Sequence, residues 1–309
     1  MSAIVCLMGP TASGKTQLAY ELVQRYPFEI ISVDSAMVYR GMNIGTAKPG
    51  PEILEKAPHR LIDICNPEEA YSAAQFREDA LHEIEDIQSH HKIPLLVGGT
   101  MMYFRTLQKG IAAMPSANAE VRANLLQEAE LMGWPKLHQR LQEVDPVAAE
   151  RIHPHDSQRI QRALEVFVLT GKNLTAWQND QTDEGLDRKI INIVIEPDDR
   201  AVLHERIATR FVQMLEHGFV DEVKQLRDRG DLTLDFPSMR SVGYRQVWEY
   251  LDAKYTYAEM SEKGIIATRQ LAKRQLTWLR SWPNKSVFNS EANDLFLQVC
   301  KFLDSCSFI

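Results

Sequence analysis

Residues 3–8 are an unbroken apolar run, the pattern of a strand buried on both faces of a parallel sheet. A loop with two glycines follows. Leu18, Ala19, Leu22 and Val23 then recur at core spacing along a helix expected over 15–25. Residues 29–33 and 93–97 read as two further strands, and Leu61, Ile62 and Ile64 suggest another between them. A helix is expected over 72–90, where Ser72 and Gln75 have the spacing of a capping box. Gly98-Gly99-Thr100 leads into one more helix, ending near Gly110. Strands alternating with helices indicate an α/β fold, a parallel sheet flanked by helices.

The pattern changes near Pro115-Ser116. Helices without a strand are expected over 119–132, 135–142, 146–152 and 157–170, the last stopped by Gly171. Residues 178–187 are polar and loop-like. Strand character returns at 190–195, and helices are expected over 200–216, 220–229, 243–251 and 261–282. The organisation expected is an α/β core from 1–115 and 189–309, carrying an all-helical insertion domain over 116–188.

Composition narrows the class. With 309 residues, 44% hydrophobic, the chain can bury a sizeable core in one or two domains. No apolar run approaches the ~20 residues of a membrane helix, and the first residues lack the pattern of a signal peptide. A cytoplasmic protein with no membrane partner is expected. The four cysteines, Cys6, Cys65, Cys300 and Cys306, show no CxxC spacing and are expected reduced. The net charge of -7 argues mildly against nucleic-acid binding, although placement of the basic residues decides that question.

Gly9-Pro10-Thr11-Ala12-Ser13-Gly14-Lys15-Thr16 is a full G-x4-G-K-[ST] match between a strand and a helix, giving a P-loop NTPase-like core. Its backbone N–H groups, the helix N-terminus and Lys15 would hold a phosphate chain, and Thr16 would hold Mg²⁺. The loop does not say which reaction follows, and it could accommodate ATP. Phosphoryl-transfer proteins of this type usually carry an Asp after a later strand, but 94–97 ends in Gly98-Gly99-Thr100. The acidic residue follows the second strand instead, as Asp34. A carboxylate there faces the ligand crevice and could be a general base, a magnesium ligand or a loop cap. Asp63 has a weaker claim. His153-Pro154-His155-Asp156 has no third ligand at suitable spacing and reads as a polar loop.

Several stretches together resemble the tRNA dimethylallyltransferases, also called tRNA isopentenyltransferases. They are the P-loop, Ile31–Ser35, Gly45–Pro49, Val97–Tyr103, Ser157–Glu165, Arg240–Arg245 and Lys273–Arg280. The resemblance runs to about Trp282, with no departure at a motif position. It is to the bacterial form, without a zinc finger. It implies transfer of a dimethylallyl group from its diphosphate to N6 of the adenosine 3′ of the tRNA anticodon (position 37). The P-loop would then grip a leaving diphosphate. The resemblance implies substrate contact by Thr100 and Arg122, a diphosphate contact by Arg210, and Asp34 at the target base.

A tRNA substrate calls for basic and aromatic surfaces around a base taken out of its stack. The expected anticodon stem-loop contacts begin with Asp34, Ser35, Ala36 and Met37. They continue with Gln158, Arg159, Ile160, Gln161 and Arg162, then Arg240, Ser241, Val242, Gly243, Tyr244 and Arg245. Lys273, Arg274 and Arg280 complete them, on a long helix expected to carry Arg269, Trp278 and Trp282 as well. That helix reads equally as long basic side chains lying over a core, with its tryptophans buried. The acting species is expected to be a monomer. Two other classes stay open on residues alone: a small-molecule P-loop kinase and a non-catalytic nucleotide switch. A kinase should carry a short basic lid, and the insertion of more than fifty residues with spread arginines does not look like one.

Overall fold

The first strand, β1 (Ile4–Met8), is buried along its whole length, and α1 (Lys15–Arg25) leaves the P-loop behind it. There follow β2 (Phe28–Val33), α2 (Pro51–Lys56), the two-residue β3 (His59–Arg60) and α3 (Ala73–Ser89). Ser72 caps α3 in a complete capping box with Gln75. β4 (Ile93–Gly98) and α4 (Met101–Lys109) end this part. The protein is described here from a computed structural model over residues 3–112, 114–180 and 185–306. The first two residues of the chain, 181–184 of the expected polar loop and the last three residues lie outside that range.

Five helices come next: α5 (Ala119–Met132), α6 (Trp134–Val144), α7 (Pro146–Arg151), α8 (Ser157–Thr170) and α9 (Leu174–Asn179). Gly171 ends α8 in the left-handed conformation, φ 68°. The chain then forms β5 (Ile190–Glu196), α10 (Arg200–Glu216), α11 (Phe219–Asp228), α12 (Tyr244–Leu251), α13 (Tyr257–Arg280), β6 (Lys285–Asn289) and α14 (Leu295–Ser305).

All strand pairs are parallel, in the order β3-β2-β4-β1-β5-β6. Val5, Leu7, Ile30, Leu95 and Ile193 bury one sheet face against Leu18 and Leu22 of α1 and Val299 and Leu303 of α14. A second cluster joins Val38, Tyr39 and Met42 to Phe211, Phe219, Tyr244 and Trp248. The chain divides into two compact units, Met1–Leu107 with Asp187–Ile309, and Gln108–Leu186. The second has its own core of Leu125, Leu137, Leu141, Ala148, Ile160 and Leu164.

Four expectations need correction. Leu61, Ile62 and Ile64 do not form a strand. Leu61 and Asp63 take left-handed backbone, φ 61° and 54°, so the chain turns there and pairing stops at Arg60. The polar stretch from 178 overlaps α9, which an Asn173 side-chain cap initiates. The long helix starts earlier than expected, at Tyr257, where Thr256 and Glu259 form a capping box. It also ends at Arg280. Trp282 lies beyond it, buried, with its ring edge-on to Phe104. The tail past the resembling region completes the sheet with β6 and covers α1 with α14, held by a hydrogen bond from the Tyr26 hydroxyl to Asp304 (2.6 Å).

Candidate active site

Strand register assembles the site. Met8 is level with Gly98, and Gly98 with Val33. The residues that follow, Gly9, Asp34 and Gly99-Thr100, therefore leave the sheet together at its C-terminal edge, where ligands of open parallel sheets bind. Gly98 and Gly9 are required there. A Cβ on either would collide with backbone, at Val33 and Ile195 respectively.

The P-loop curls through left-handed conformations at Ala12 (φ 63°) and Gly14 (φ 90°), and α1 begins at Lys15. Ser13 is buried, and its hydroxyl has no hydrogen-bond partner among the described residues. The Lys15 ammonium donates to the Gly9 and Pro10 carbonyls at 2.9 and 2.6 Å. Arg210 reaches from α10 and donates to the Thr11 hydroxyl. Burial, and then the Arg210 charge, push the Lys15 pKa down to about 7, against the opposing pull of Asp34. Burial likewise lowers Arg210, again opposed by Asp34. Two basic side chains thus share a desolvated cradle, and among the described residues neither has an ion-pair partner. That arrangement is unfavourable until an anion enters. Thr16 stands in the first turn of α1.

Asp34 uses one carboxylate oxygen, Oδ1, to accept the N–H groups of Ala36 and Met37 at 2.8 and 3.2 Å. The loop-capping role is therefore present in the structure, and Oδ2 remains available for other chemistry. Ser35 N–H donates to Thr100 Oγ1 (3.1 Å), and Thr100 N–H donates to Val33 O (3.2 Å). Thr100 is thereby fixed beside the Asp34 turn. Gln275, unremarked in the sequence as an individual residue, joins this network from α13. Its partners are 264 and 176 residues away, beyond any local pattern.

The Gly45–Pro49 stretch is held from below. Glu222 of α11 accepts the N–H groups of Asn43, Ile44 and Gly45 (2.7–3.1 Å) and the Tyr244 hydroxyl (2.5 Å). Lys48 is almost wholly buried, donating to Tyr39 O, Asn43 Oδ1 and Asp63 Oδ1. Asp63 is thus the partner of Lys48. Gly45 lies against the Phe219 ring, leaving no room for a Cβ. Tyr244 is fully buried, edge-on to Phe219, and burial holds its hydroxyl well above the usual range. Its expected contact with tRNA is replaced by a structural role, and Gly243 is buried beside it. Ser241 and Val242 are half-buried, whereas Arg245, Lys273, Arg274 and Arg280 are exposed. Arg240 donates to Asp235. Trp278 carries Arg105 over its ring face at 5.8 Å.

Within the helical unit, Glu165 is fully buried and binds both Arg122 (2.9 Å) and Arg162 (2.7 Å). Burial works to raise its carboxyl, but the two arginines and the Asn118 N–H hold it below the usual range. Gln161 donates to the Arg122 carbonyl. Ile160 is core, correcting its expected place among tRNA contacts, while Gln158 and Arg159 are exposed. Among the described residues no group of three or more His, Cys, Asp and Glu could hold a metal, and no helix is long and apolar enough to cross a membrane. Cys65, Cys300 and Cys306 are free thiols.

A family model described as IPP transferase matches residues 37–282. The chain is 55% identical over 300 residues to a tRNA dimethylallyltransferase of Coxiella burnetii (strain Dugway 5J108-111), covering 97% of this chain and 96% of that protein. It is similar to the crystal structure of the full-length tRNA isopentenylpyrophosphate transferase from Bacillus halodurans. That match has 35% identity and TM-score 0.73, over 99% of this chain and 96% of that one. It is also similar to a eukaryotic dimethylallyltransferase captured acting on tRNA, at 26% identity and TM-score 0.80, over 100% of this chain and 79% of that one.

Proposed function

Since this chain belongs to the IPP transferase family, we infer that it transfers a dimethylallyl group from dimethylallyl diphosphate to N6 of the adenosine at position 37 of tRNA, releasing diphosphate. The observation that carries this reading is the P-loop cradle itself: among the described residues Lys15 and Arg210 have no ion-pair partner there, and the Asp34 turn leaves the sheet at the same edge. In the reaction the allylic C–O bond breaks with its electron pair passing to the diphosphate. P-loop N–H groups, Lys15 and Arg210 stabilise that charge as it develops. The N6 lone pair forms the new N–C bond, and Asp34 accepts the proton or orients the amine through its available oxygen. Thr100, fixed beside Asp34, would contact the same substrates.

Magnesium suits this site. Thr16 offers a hydroxyl next to where the diphosphate would lie, and hard oxygen donors are what Mg²⁺ takes. Thr16 would hold the ion, which when bound neutralises diphosphate charge. For tRNA, Ser35, Ala36 and Met37 line the acceptor side. Arg240, Arg245, Lys273, Arg274 and Arg280 are among the exposed basic side chains of the larger unit. The helical unit contributes Gln158 and Arg159, with Arg122 and Arg162 oriented by Glu165. We place the reaction in the cytoplasm, with a monomer as the acting species.

The test is to supply dimethylallyl diphosphate or ATP together with unmodified tRNA and to follow which is consumed. Loss of dimethylallyl diphosphate only when tRNA is present, with N6-(dimethylallyl)adenosine formed, is expected. Turnover of ATP without prenylation would replace this reading with a P-loop kinase.

A further inference from the structure

The donor diphosphate and the acceptor base would be held by loops from different strands, and one buried side chain connects those loops. Gln275 is 8% exposed in the middle of α13. Its Oε1 accepts the Thr11 N–H of the P-loop at 2.8 Å. Its Nε2 donates to Gly99 O at 2.9 Å. The approach is so close that a Cβ on Gly99 would strike the Gln275 amide nitrogen. From Gly99 the chain of contacts passes through Thr100, whose hydroxyl accepts the Ser35 N–H, to the Asp34 turn. On the other side, Thr11 takes the Arg210 guanidinium on its hydroxyl.

We propose that Gln275 is a positioning residue that fixes the distance between the leaving diphosphate and the attacking amine. The inference rests on the prenyl-transfer reading above. Its chemistry is specific. The position needs an acceptor for Thr11 and a donor for Gly99 at the two ends of one planar group, and a primary amide supplies both. An apolar residue would leave a half-buried N–H and a buried C=O without these partners. Displacement substrates react when the atoms to be joined stand about 3–3.5 Å apart, and a misplacement of ~1 Å can slow the step about 10²-fold. Gln275 touches no reacting atom, so its effect should fall on the chemical step with both substrates bound.

Two variants test this. Gln275→Met keeps the volume and removes both hydrogen bonds. Its single-turnover transfer rate, at saturating dimethylallyl diphosphate and an unmodified anticodon stem-loop RNA, should fall about 10²-fold. The dissociation constants for inorganic diphosphate and for the RNA should change by less than about threefold, because uniform binding is not what is lost. Gln275→Glu gives a readout that a packing role would not move. Ionised, it repels Gly99 O; protonated, it donates there and still accepts from Thr11. Burial raises a carboxyl pKa, so this variant should be slow at high pH and recover as pH falls, along a limb absent from the wild type. A Gln275→Met enzyme at full rate, or one whose loss is accounted for by weakened binding, overturns the proposal. So does a Gln275→Glu profile with the wild-type shape, which decides the matter alone if the methionine variant does not fold. Wild-type protein that forms no prenylated RNA would instead overturn the functional reading.

Discussion

The two units of the molecule treat their cations in opposite ways. In the P-loop cradle, among the described residues, Lys15 and Arg210 bond to carbonyl and hydroxyl oxygens, and each has its pKa lowered. In the helical unit, Arg122 and Arg162 converge on one buried carboxylate, Glu165, whose pKa is lowered in turn. The first arrangement is poised for an anion that has yet to arrive. The second already contains its anion and is satisfied. A basic residue's partner therefore says more about its role than its charge or its place in a motif does.

The largest expected effect comes from Asp34, the carboxylate whose charge acts on both Lys15 and Arg210. Asp34→Asn keeps an oxygen to cap Ala36 and Met37, so fold and substrate affinities should persist. The chemical step should slow by roughly 10²–10⁴-fold, the range for a lost general base. Single-turnover prenylation across a magnesium titration separates the roles: rescue at high Mg²⁺ would make Asp34 a metal ligand, and an unchanged rate would remove it from the mechanism.

The satisfied side of the comparison is broken by Glu165→Ala. This leaves two arginines and the Asn118 N–H without their shared acceptor. A loss of about 1–3 kcal/mol is expected, because the donors left without an acceptor belong to arginines that solvent partly reaches. Urea unfolding followed through Trp134 and Trp177, both in this unit, measures it. The pH sign is set by the lowered carboxyl. Glu165 contributes stability in full above its unfolded value of about 4.3 and loses it as pH falls through the lower folded pKa. A variant as stable as the parent would mean that Arg122 and Arg162 are not scaffold.

What was legible in the sequence follows the same division. The P-loop, Asp34 and most helix limits are written in contiguous residues, so spacing alone located them. The turn at 61–64 was not, because three apolar residues look like a strand, whereas left-handed backbone at Leu61 and Asp63 decides the outcome. Glu222 and Gln275 were missed individually for another reason. Each is one polar residue on a helix, and its meaning lies in loops 176 or more residues away. Tyr244 and Ile160 sat in segments singled out for tRNA, but a segment does not disclose which of its residues point inward. The helical spacing of Ile160 with Ala163 and Leu164, all buried, was the available signal.

Lys15 offers a smaller and more graded test. Lys15→Ala removes a charge from the leaving diphosphate, and a loss of roughly 2–4 kcal/mol in transition-state stabilisation is expected from kcat/KM. The same residue should couple binding to protons. With its pKa near 7 in the free protein, Lys15 is increasingly neutral above that pH, and an arriving anion must restore its proton. Diphosphate binding should therefore take up protons at pH 8, and affinity should weaken as pH rises past 7. Calorimetry in buffers of different ionisation enthalpy reads the uptake, and Lys15→Ala should abolish it. Binding at pH 8 without proton uptake in the wild type would show that the cradle is not poised in this way.

The smallest effect separates two arginines three residues apart on α8. Arg162 is committed to Glu165 and to the Pro115 carbonyl, so its replacement should act mainly through stability. Arg159 has a side chain 73% exposed, and its ion pair with the half-buried Asp156, at 3.2 Å, is open enough to solvent to be worth little. It can exchange that partner for a phosphate at almost no loss. Arg159→Ala should leave unfolding unchanged, weaken binding of an anticodon stem-loop by about 1 kcal/mol at low salt, and reduce the slope of log affinity against log salt by about 1. Dimethylallyl diphosphate affinity should not move, because the cradle belongs to the other unit. Titrations at several salt concentrations decide it. A slope unchanged by Arg159→Ala but reduced by Arg162→Ala, with stability intact, would reverse the assignment and show that a cation already paired with a buried carboxylate still serves as the phosphate contact.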